Sequence, residues 1–220
     1  MNDAEELDEL RQFLPEATAE AWEKLAPVVP QWAYLAGETA LTVHLHHRVS
    51  RDLDFFTERE FPVAAVLDPV EIVGRFAVSR AEPGTVNGTF EGAKVQFLDA
   101  SSQRILEPLT PWAGLRISSV ADLMAMKLKV VRDRGELRDY FDLMAIEQQT
   151  DLRTEEGMRL VVERYAPRGP EALIAETVRA LGYLDDVEDD PSLPVSRKDI
   201  TSYWVSRQKP LLSWLAHTLR

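Results

Sequence analysis

The chain has 220 residues, of which 45% are hydrophobic and 28% are charged, with 10 Gly, 13 Pro and no Cys. This is the composition of an ordinary globular protein, so it excludes disordered, collagen-like and disulfide-stapled classes. Because there is no Cys, a thiol nucleophile, a thiolate zinc site and thiol redox chemistry are excluded as well.

The charge is strongly acidic: 25 Lys and Arg against 37 Asp and Glu give a net charge of −12. Such a field repels duplex DNA, which we therefore do not expect as a partner. No apolar run approaches the roughly 18 residues needed to span a bilayer, and the first residues are acidic where a secretory signal would be basic. We expect a cytoplasmic protein without a membrane partner. Residues 127–138 are locally basic and could still meet an anionic ligand.

The first elements in chain order are two short acidic helices, predicted over residues 4–13 and 16–26. Residues 32–36 are an apolar run that ends at Gly37, which predicts a buried strand. The periodicity of residues 38–47 fits either a strand or a helix, and we expect a helix that starts just after Gly37.

The next segments are typical of a sheet. Residues 53–57 are rich in apolar and aromatic side chains and predict a second strand, followed by a helical turn over 62–67. Short apolar runs separated by Gly, Asn and Pro predict an antiparallel meander over 72–99. We therefore expect a mixed α and β half over about 30–117.

From Ser118 onward the pattern is helical. Ser118 or Ser119 can cap a helix over 120–132, and Gly135 marks its end. Further helices are predicted over 136–148, 154–165, 170–181 and 198–216. The second half of the chain, about 118–220, is thus expected to be helical.

Asp52 and Asp54 are the main candidates for chemistry. Residues two apart on a strand point to one face, here with Cβ atoms roughly 6.5–7 Å apart, while Leu53 points into the core. Two like charges on one face repel and need a compensating cation, for which Mg²⁺ is suited because it takes oxygen ligands and keeps positions open for phosphates. The alternative is a solvated edge strand that happens to show two acids.

The turn at Gly37 is a candidate phosphate site. A helix that starts directly after a strand aims its first N–H groups and its dipole at the space above the turn. Gly37 allows close approach of the backbone, and Thr39 offers a hydroxyl group. The alternative is a plain strand–turn–helix corner.

Several short motifs occur in order between residues 32 and 145. They are Leu35-Ala-Gly-Glu-Thr-Ala-Leu41, His47-Arg48-x-Ser50-x-Asp52-x-Asp54-Phe55-Phe56, Asp122-Leu-Met-Ala-Met-Lys127, the pair Arg132 and Arg134, and Arg138-Asp139-Tyr-Phe-Asp142-Leu143. Together they resemble the signature of the AbiEii/AbiGii-type toxin nucleotidyltransferases, which belong to the polymerase-β-like nucleotidyltransferase superfamily.

This resemblance implies an α+β fold: a nucleotidyltransferase-like mixed sheet with flanking helices over 1–117, including the N-terminal helices, and a helical half over 118–220 that completes the site. It implies Mg²⁺-dependent transfer of a nucleotide from NTP to an acceptor, with release of pyrophosphate. Where family members have a known target, it is the 3′ end of tRNA, so tRNA is the expected acceptor. A cognate antitoxin protein is the expected partner.

The resemblance also implies roles for individual residues. Gly37 and Thr39 would lie in the phosphate-binding turn, and Asp52 and Asp54 would be catalytic and hold one or two Mg²⁺ ions. Lys127 would contact the triphosphate, and Asp139 or Asp142 would complete the catalytic site. Arg48 would orient the Asp strand or contact a phosphate. Arg132 and Arg134 would bind nucleotide.

Simpler roles are open for three of these side chains. Lys127 interrupts the apolar face of its helix and could snorkel to solvent instead of meeting an anion. Asp142 lies four residues after Arg138 and could form a surface ion pair with it. For Asp139 and Asp142 a structural role is about as well supported as a catalytic one.

Two residues depart from the family pattern. Glu38 stands at the second position of the glycine turn, where its carboxylate would compete with a triphosphate unless it points away. Gln96 stands where the superfamily often has a third metal carboxylate, and Asp99 is one residue out of phase with it. These changes favour an alternative function, that of a non-catalytic binding or regulatory protein. The net charge of −12 favours another alternative over RNA, nucleotidyl transfer to a protein or small-molecule hydroxyl.

The histidines at positions 44, 46 and 47 raise the question of a zinc site. Zinc needs three or four convergent ligands, and on a helix His46 diverges from the other two. We therefore do not expect a histidine metal site.

Overall fold

The computed structural model describes residues 2–218, which form two compact units. The first unit ends at Ser119 and the second begins at Val120. The first contains a sheet with helices around it, and the second is built of helices.

A mixed sheet organises the first unit. Its strands are β1 (Ala33–Ala36), β2 (Asp52–Thr57), β3 (Phe76–Glu82), β4 (Thr85–Phe90), β5 (Ala93–Asp99), β6 (Thr110–Trp112) and β7 (Leu115–Ile117). Their order across the sheet is β3-β4-β5-β2-β1-β7-β6. The pairs β2–β5 and β1–β7 are parallel, and the other neighbouring pairs are antiparallel. The predicted α+β class with a mixed sheet and flanking helices is confirmed.

Four α-helices accompany this sheet in the described part of the first unit: α1 (Asp3–Leu10), α2 (Glu16–Leu25), α3 (Gly37–Leu45) and α4 (Ala64–Val73). The helix predicted after Gly37 is α3. The predicted helical turn over 62–67 is instead the full helix α4, so the meander begins at Phe76 rather than at residue 72. The hairpin of β6 and β7 was not predicted, because two strands of three residues carry too little pattern to be recognised.

Burial explains why β2 forms at the centre of the sheet. Leu53 and Phe55 are fully buried, and Phe55 stacks on Phe97 of β5 with ring centroids 4.8 Å apart. The side chains of Asp52 and Asp54, which alternate with these two residues along the strand, are only partly buried. The strand therefore presents one apolar face to the core and carries its two acids on the other.

The second unit contains α5 (Val120–Arg134), α6 (Leu137–Gln149), α7 (Thr154–Tyr165), α8 (Pro170–Leu181) and α9 (Arg197–Thr218). These bounds agree with the predicted helices to within two residues. Within residues 2–218, none of the helices combines the length and the apolar character needed to cross a bilayer.

Candidate active site

The two acids of β2 share one face of the sheet, as the strand period predicts. The side chains of Asp52 and Asp54 are partly buried, whereas Leu53 between them is fully buried. The Asp52 side chain is 33% exposed, so it can be reached from solvent. The pair is therefore available to a ligand on the outer face of the strand.

The turn after β1 lies against Asp54. Ala36, the last residue of β1, is paired with Asp54 in the antiparallel register, so Gly37 follows directly beside it. Gly37 has φ +66°, and a Cβ atom built there would lie 2.3 Å from Oδ2 of Asp54. Both the positive φ and the close approach require glycine at this position. Helix α3 begins at the same residue, so its first turn starts beside Asp54.

Strand β5 supplies a hydrogen-bond donor to each acid. In the parallel register Lys94 is opposite Asp52 and Gln96 is opposite Asp54. Lys94 Nζ donates to Asp52 Oδ2 at 2.9 Å, and Gln96 Nε2 donates to Asp54 Oδ1 at 2.5 Å. Gln96 thus stands beside Asp54, and an amide that donates a hydrogen bond takes the place of a third carboxylate.

Lys94 is a site residue that the sequence did not single out. Its side chain is 65% exposed, yet its ammonium group forms an ion pair with the carboxylate of Asp52 at 2.9 Å. The only available signal was that Lys94 and Gln96 are two residues apart, like the acids. That signal becomes useful only when the parallel pairing of β2 with β5 is known.

The pKa of Asp54 is raised from 3.8 to about 6. Desolvation by burial is the largest cause, and the negative charges of Asp52 and Glu38 raise it further. The hydrogen bond from Gln96 and the charge of Lys94 act in the opposite direction but do not cancel these effects. Ionisation of Asp54 therefore costs more free energy than ionisation of an ordinary carboxyl group.

The donor set at these strands fits a hard divalent cation. Asp52 and Asp54 offer carboxylate oxygens on one face of the sheet, and such oxygens are the ligands that Mg²⁺ takes. A bound cation would also lower the free-energy cost of ionising Asp54. Asp52 is open to solvent on one side, which leaves room for phosphate or water ligands. The residues that would hold Mg²⁺ are thus Asp52 and Asp54.

Glu38 forms an ion pair at the start of α3. Its Oε2 lies 3.0 Å from Nη2 of Arg48, whose side chain is 6% exposed. The carboxylate that departs from the family pattern is therefore directed to a cation within the fold. Arg48 was expected to orient the Asp strand or to contact phosphate. In the structure its guanidinium group pairs with Glu38.

The hydroxyl group of Thr39 is used inside the fold. It contacts Ser50 Oγ at 2.7 Å and donates to the main-chain oxygen of Asp52, and Thr39 itself is fully buried. These bonds connect the first turn of α3 to the start of β2. Thr39 therefore fixes the turn relative to Asp52, and its hydroxyl group has its partners within the chain.

A buried charge cluster forms in the second unit. Lys127 Nζ lies 2.7 Å from Asp139 Oδ1 and 2.6 Å from Asp142 Oδ2. The side chains of Lys127 and Asp139 are each 7% exposed, and that of Asp142 is fully buried. Snorkelling of Lys127 to solvent is thus wrong, and so is a surface ion pair for Asp142. Asp139 also accepts a hydrogen bond from the main chain of Glu136, which caps α6.

The two arginines that follow on α5 differ in their surroundings. Arg132 donates from Nε and Nη2 to the carboxylate of Asp133. Arg134, at the last position of the helix, is exposed. Among the residues predicted to bind nucleotide, Arg134 is therefore the one most open to solvent.

The histidines lie in separate environments. His44 Nε2 donates to the main-chain oxygen of Ser118 at 2.7 Å, and burial lowers the pKa of His44, which favours the neutral ring. His46 has φ +50° at the end of α3, and its ring stacks on Phe13. These contacts give both side chains structural roles.

Comparison with known proteins identifies a family to which the chain is similar. The model of the family described as "Nucleotidyl transferase AbiEii toxin, Type IV TA system" matches residues 21–213. An uncharacterized protein of Aquifex aeolicus (strain VF5) is 27% identical over 174 residues, which cover 78% of this chain and 80% of that protein.

A solved structure shares the fold. A crystal structure of an H. pylori protein, provisionally described as a nucleotidyltransferase, matches with a TM-score of 0.55 at 18% identity and covers 99% of this chain and 98% of that one. MenT4, a nucleotidyltransferase toxin of Mycobacterium tuberculosis H37Rv, matches with a TM-score of 0.48 at 15% identity, covering 98% and 90%. Because the family match includes both the residues of the candidate site and most of the second unit, the chain belongs to the AbiEii family of toxins and is a nucleotidyltransferase.

Proposed function

We propose that this protein transfers a nucleotidyl group from an NTP to the 3′ end of a tRNA, with Mg²⁺ held by Asp52 and Asp54. The observation that carries this proposal is the contact between the Gly37 turn and Asp54, because it joins a phosphate-binding helix start to a carboxylate pair. The family match supplies the reaction class.

In this proposal the triphosphate binds at the start of α3. The N-terminal N–H groups of a helix have no partners within the helix and can donate to phosphate oxygens. The absence of a side chain at Gly37 keeps this surface open, and Thr39 holds the turn in place through its bond to the main chain of Asp52. When bound, Mg²⁺ would neutralise charge on the triphosphate.

The reaction requires only positioned groups and charge neutralisation. The acceptor hydroxyl oxygen forms a bond to the α-phosphorus, and the bond from that phosphorus to the bridging oxygen of the β-phosphate breaks. Pyrophosphate leaves with the bonding electron pair, and the hydroxyl proton passes to a carboxylate base. Neither a Ser nor a Cys nucleophile is needed.

We extend the proposal to the second unit, which the family match also includes. Asp139 or Asp142 is the proposed base, and Lys127 positions both carboxylates through the ion pairs of its ammonium group. Lys127 is also the proposed contact for the triphosphate. Arg132 and Arg134 are proposed to bind phosphate groups of the nucleotide.

The acceptor and the partner are proposed from the family. Its description as a toxin of a toxin–antitoxin system supports an antitoxin as the cognate partner. The target, tRNA in the cytoplasm, is proposed from the resemblance of the sequence motifs alone. The basic segment at residues 127–138 offers local charge for an RNA phosphate despite the net charge of −12.

The test is transfer of radioactive label from each α-labelled NTP to total tRNA in the presence of Mg²⁺. We expect label on tRNA with at least one NTP, and its loss when EDTA is added or Asp52 is replaced by Ala. Asp99→Asn is the matched control, because Asp99 lies on β5 and accepts a hydrogen bond from the main chain of Ser101. It should retain most of the activity.

Other outcomes would contradict the proposal in distinct ways. Label on polypeptide or on a small molecule would show that the acceptor hydroxyl belongs to that molecule and not to tRNA. Binding of NTP without release of pyrophosphate in any reaction would favour a binding module, with Gln96 in place of a third metal carboxylate as its structural basis.

A further inference from the structure

Glu38 is an acid at a position where a nucleotide phosphate would have to bind. It is the second residue of α3, directly after Gly37. The preceding residue, Gly37, lies directly against the carboxylate of Asp54. An acid in the first turn stabilises the helix dipole, but it repels a triphosphate that uses the same helix start.

Arg48 is held so that its guanidinium group faces Glu38. Nη2 lies 3.0 Å from Glu38 Oε2, and Nη1 donates to the main-chain oxygen of Val49 at 3.2 Å. The main-chain oxygen of Arg48 accepts a hydrogen bond from the Thr42 hydroxyl group at 3.2 Å, which joins the loop to α3. The guanidinium group is thus anchored on two sides within a largely buried environment.

The pair has the features of a charge-compensating unit. The Glu38 side chain is 21% exposed and the Arg48 side chain 6%, so the arginine lies on the inner side and the carboxylate nearer to solvent. A buried charge without its partner is costly, so each residue depends on the other. The arginine thereby neutralises the one acid that stands at the start of α3.

We propose that Arg48 is a positioning residue that draws Glu38 aside and neutralises it, so that a triphosphate can bind at the start of α3. This inference rests on the proposed function, because it assumes that nucleotide binds there. It differs from a direct contact between Arg48 and phosphate, since Arg48 would then act independently of Glu38.

The test compares the wild type with Glu38→Gln, Arg48→Met and the double variant. The whole protein in MgCl₂ is titrated by calorimetry with α,β-methylene analogues of the four NTPs. We expect Arg48→Met to weaken binding by about tenfold or more, because it removes the cation that lies 3.0 Å from Glu38. The double variant should bind within about threefold of Glu38→Gln.

A direct phosphate contact predicts the opposite pattern. In that case the double variant would bind about tenfold more weakly than Glu38→Gln, and this result would overturn the inference. The comparison does not depend on the single variant Arg48→Met, which could fail to fold because it removes a largely buried ion pair. Arg48→Lys is a second probe: it retains the positive charge and should bind nucleotide more tightly than Arg48→Met.

A stability measurement separates this inference from the proposed function. Thermal unfolding of the four proteins without ligand should show that the two substitutions are coupled. We expect the double variant to melt at a higher temperature than Arg48→Met alone. Effects of the two substitutions on the melting temperature that simply add would overturn the inference. A wild type that binds none of the four analogues would contradict both proposals. If the wild type binds nucleotide but the double variant binds more weakly than Glu38→Gln, the inference is contradicted and the proposed function is not.

Discussion

The carboxylate of Asp54 occupies the space in which any residue other than glycine at position 37 would place its Cβ atom. An ideal Cβ at Gly37 would be 2.3 Å from Asp54 Oδ2. The turn that begins α3 and the acid proposed to hold Mg²⁺ are therefore in direct contact. A change at either residue must alter the other.

Replacing Gly37 by Ala should remove nucleotidyl transfer. The Cβ atom would displace the Asp54 carboxylate, and φ +66° is strained for any residue other than glycine. We expect a loss of at least about 100-fold in the transfer rate, and destabilisation by about 2 kcal/mol or more in urea unfolding.

Gly92→Ala is the matched control for backbone strain. Gly92 has φ +95°, and its added Cβ would meet only the Ala17 side chain at 3.6 Å, an ordinary contact. It should cost about 1 kcal/mol of stability and leave the transfer rate within about threefold of the wild type. Equal losses of activity in both variants would mean that the contact with Asp54 is unimportant.

The metal-free protein should depend on pH through Asp54. Its pKa is about 6 in the folded chain against an ordinary value of 3.8, so the folded state binds the proton first as the pH falls. Above about pH 6 Asp54 is ionised at a cost to the folded state, and protonation below that pH relieves this cost. Lowering the pH from about 7.5 to about 4.5 should therefore stabilise the wild type relative to Asp54→Asn by about 2 kcal/mol.

This prediction is tested by urea unfolding of both proteins in EDTA at several pH values. The difference between them isolates Asp54 from other titrating groups. A difference that stays constant with pH, or that changes in the opposite direction, would show that Asp54 does not titrate abnormally.

Gln96→Glu should strengthen metal binding at the expense of the metal-free fold. The substitution replaces the donor to Asp54 by a third negative charge on the same face. Without metal we expect destabilisation by about 1–3 kcal/mol. Addition of Mg²⁺ should then raise the melting temperature of Gln96→Glu by more than that of the wild type. An equal rise in both proteins would contradict a metal site beside Gln96.

Replacing Lys127 by Met should destabilise the second unit. It would leave the carboxylates of Asp139 and Asp142 buried without their shared cation. We expect a loss of about 3–5 kcal/mol in urea unfolding. Lys129→Met, on the same helix, removes an exposed pair with Asp133 and should cost less than about 1 kcal/mol. Similar losses in both variants would argue against a buried cluster.

Much of the fold follows from local pattern. The turn at Gly37, the alternation from Asp52 to Phe55 and the helices after Ser119 are set by neighbours in the chain, and they were predicted close to their observed bounds. The contact of Gly37 with Asp54 follows once β1 and β2 are paired. Asp52 and Asp54 were therefore accessible to sequence reasoning as a pair.

Long-range pairing accounts for what could not be predicted. Lys94 and Gln96 meet Asp52 and Asp54 only because β5 runs parallel to β2 in a particular register, which no local pattern encodes. The Glu38–Arg48 pair likewise depends on the path of the loop after α3. Sequence reasoning recognised Glu38 as a departure from the family pattern, but it could not locate the cation that compensates it.

The most direct test of the account is the affinity of the whole protein for a divalent ion, measured by calorimetry with Mg²⁺ or by electron paramagnetic resonance with Mn²⁺. The account predicts that Asp52→Asn binds at least about tenfold more weakly than the wild type, while Asp99→Asn on the neighbouring strand binds as the wild type does. Unchanged affinity in Asp52→Asn would show that the two aspartates of β2 do not hold the metal.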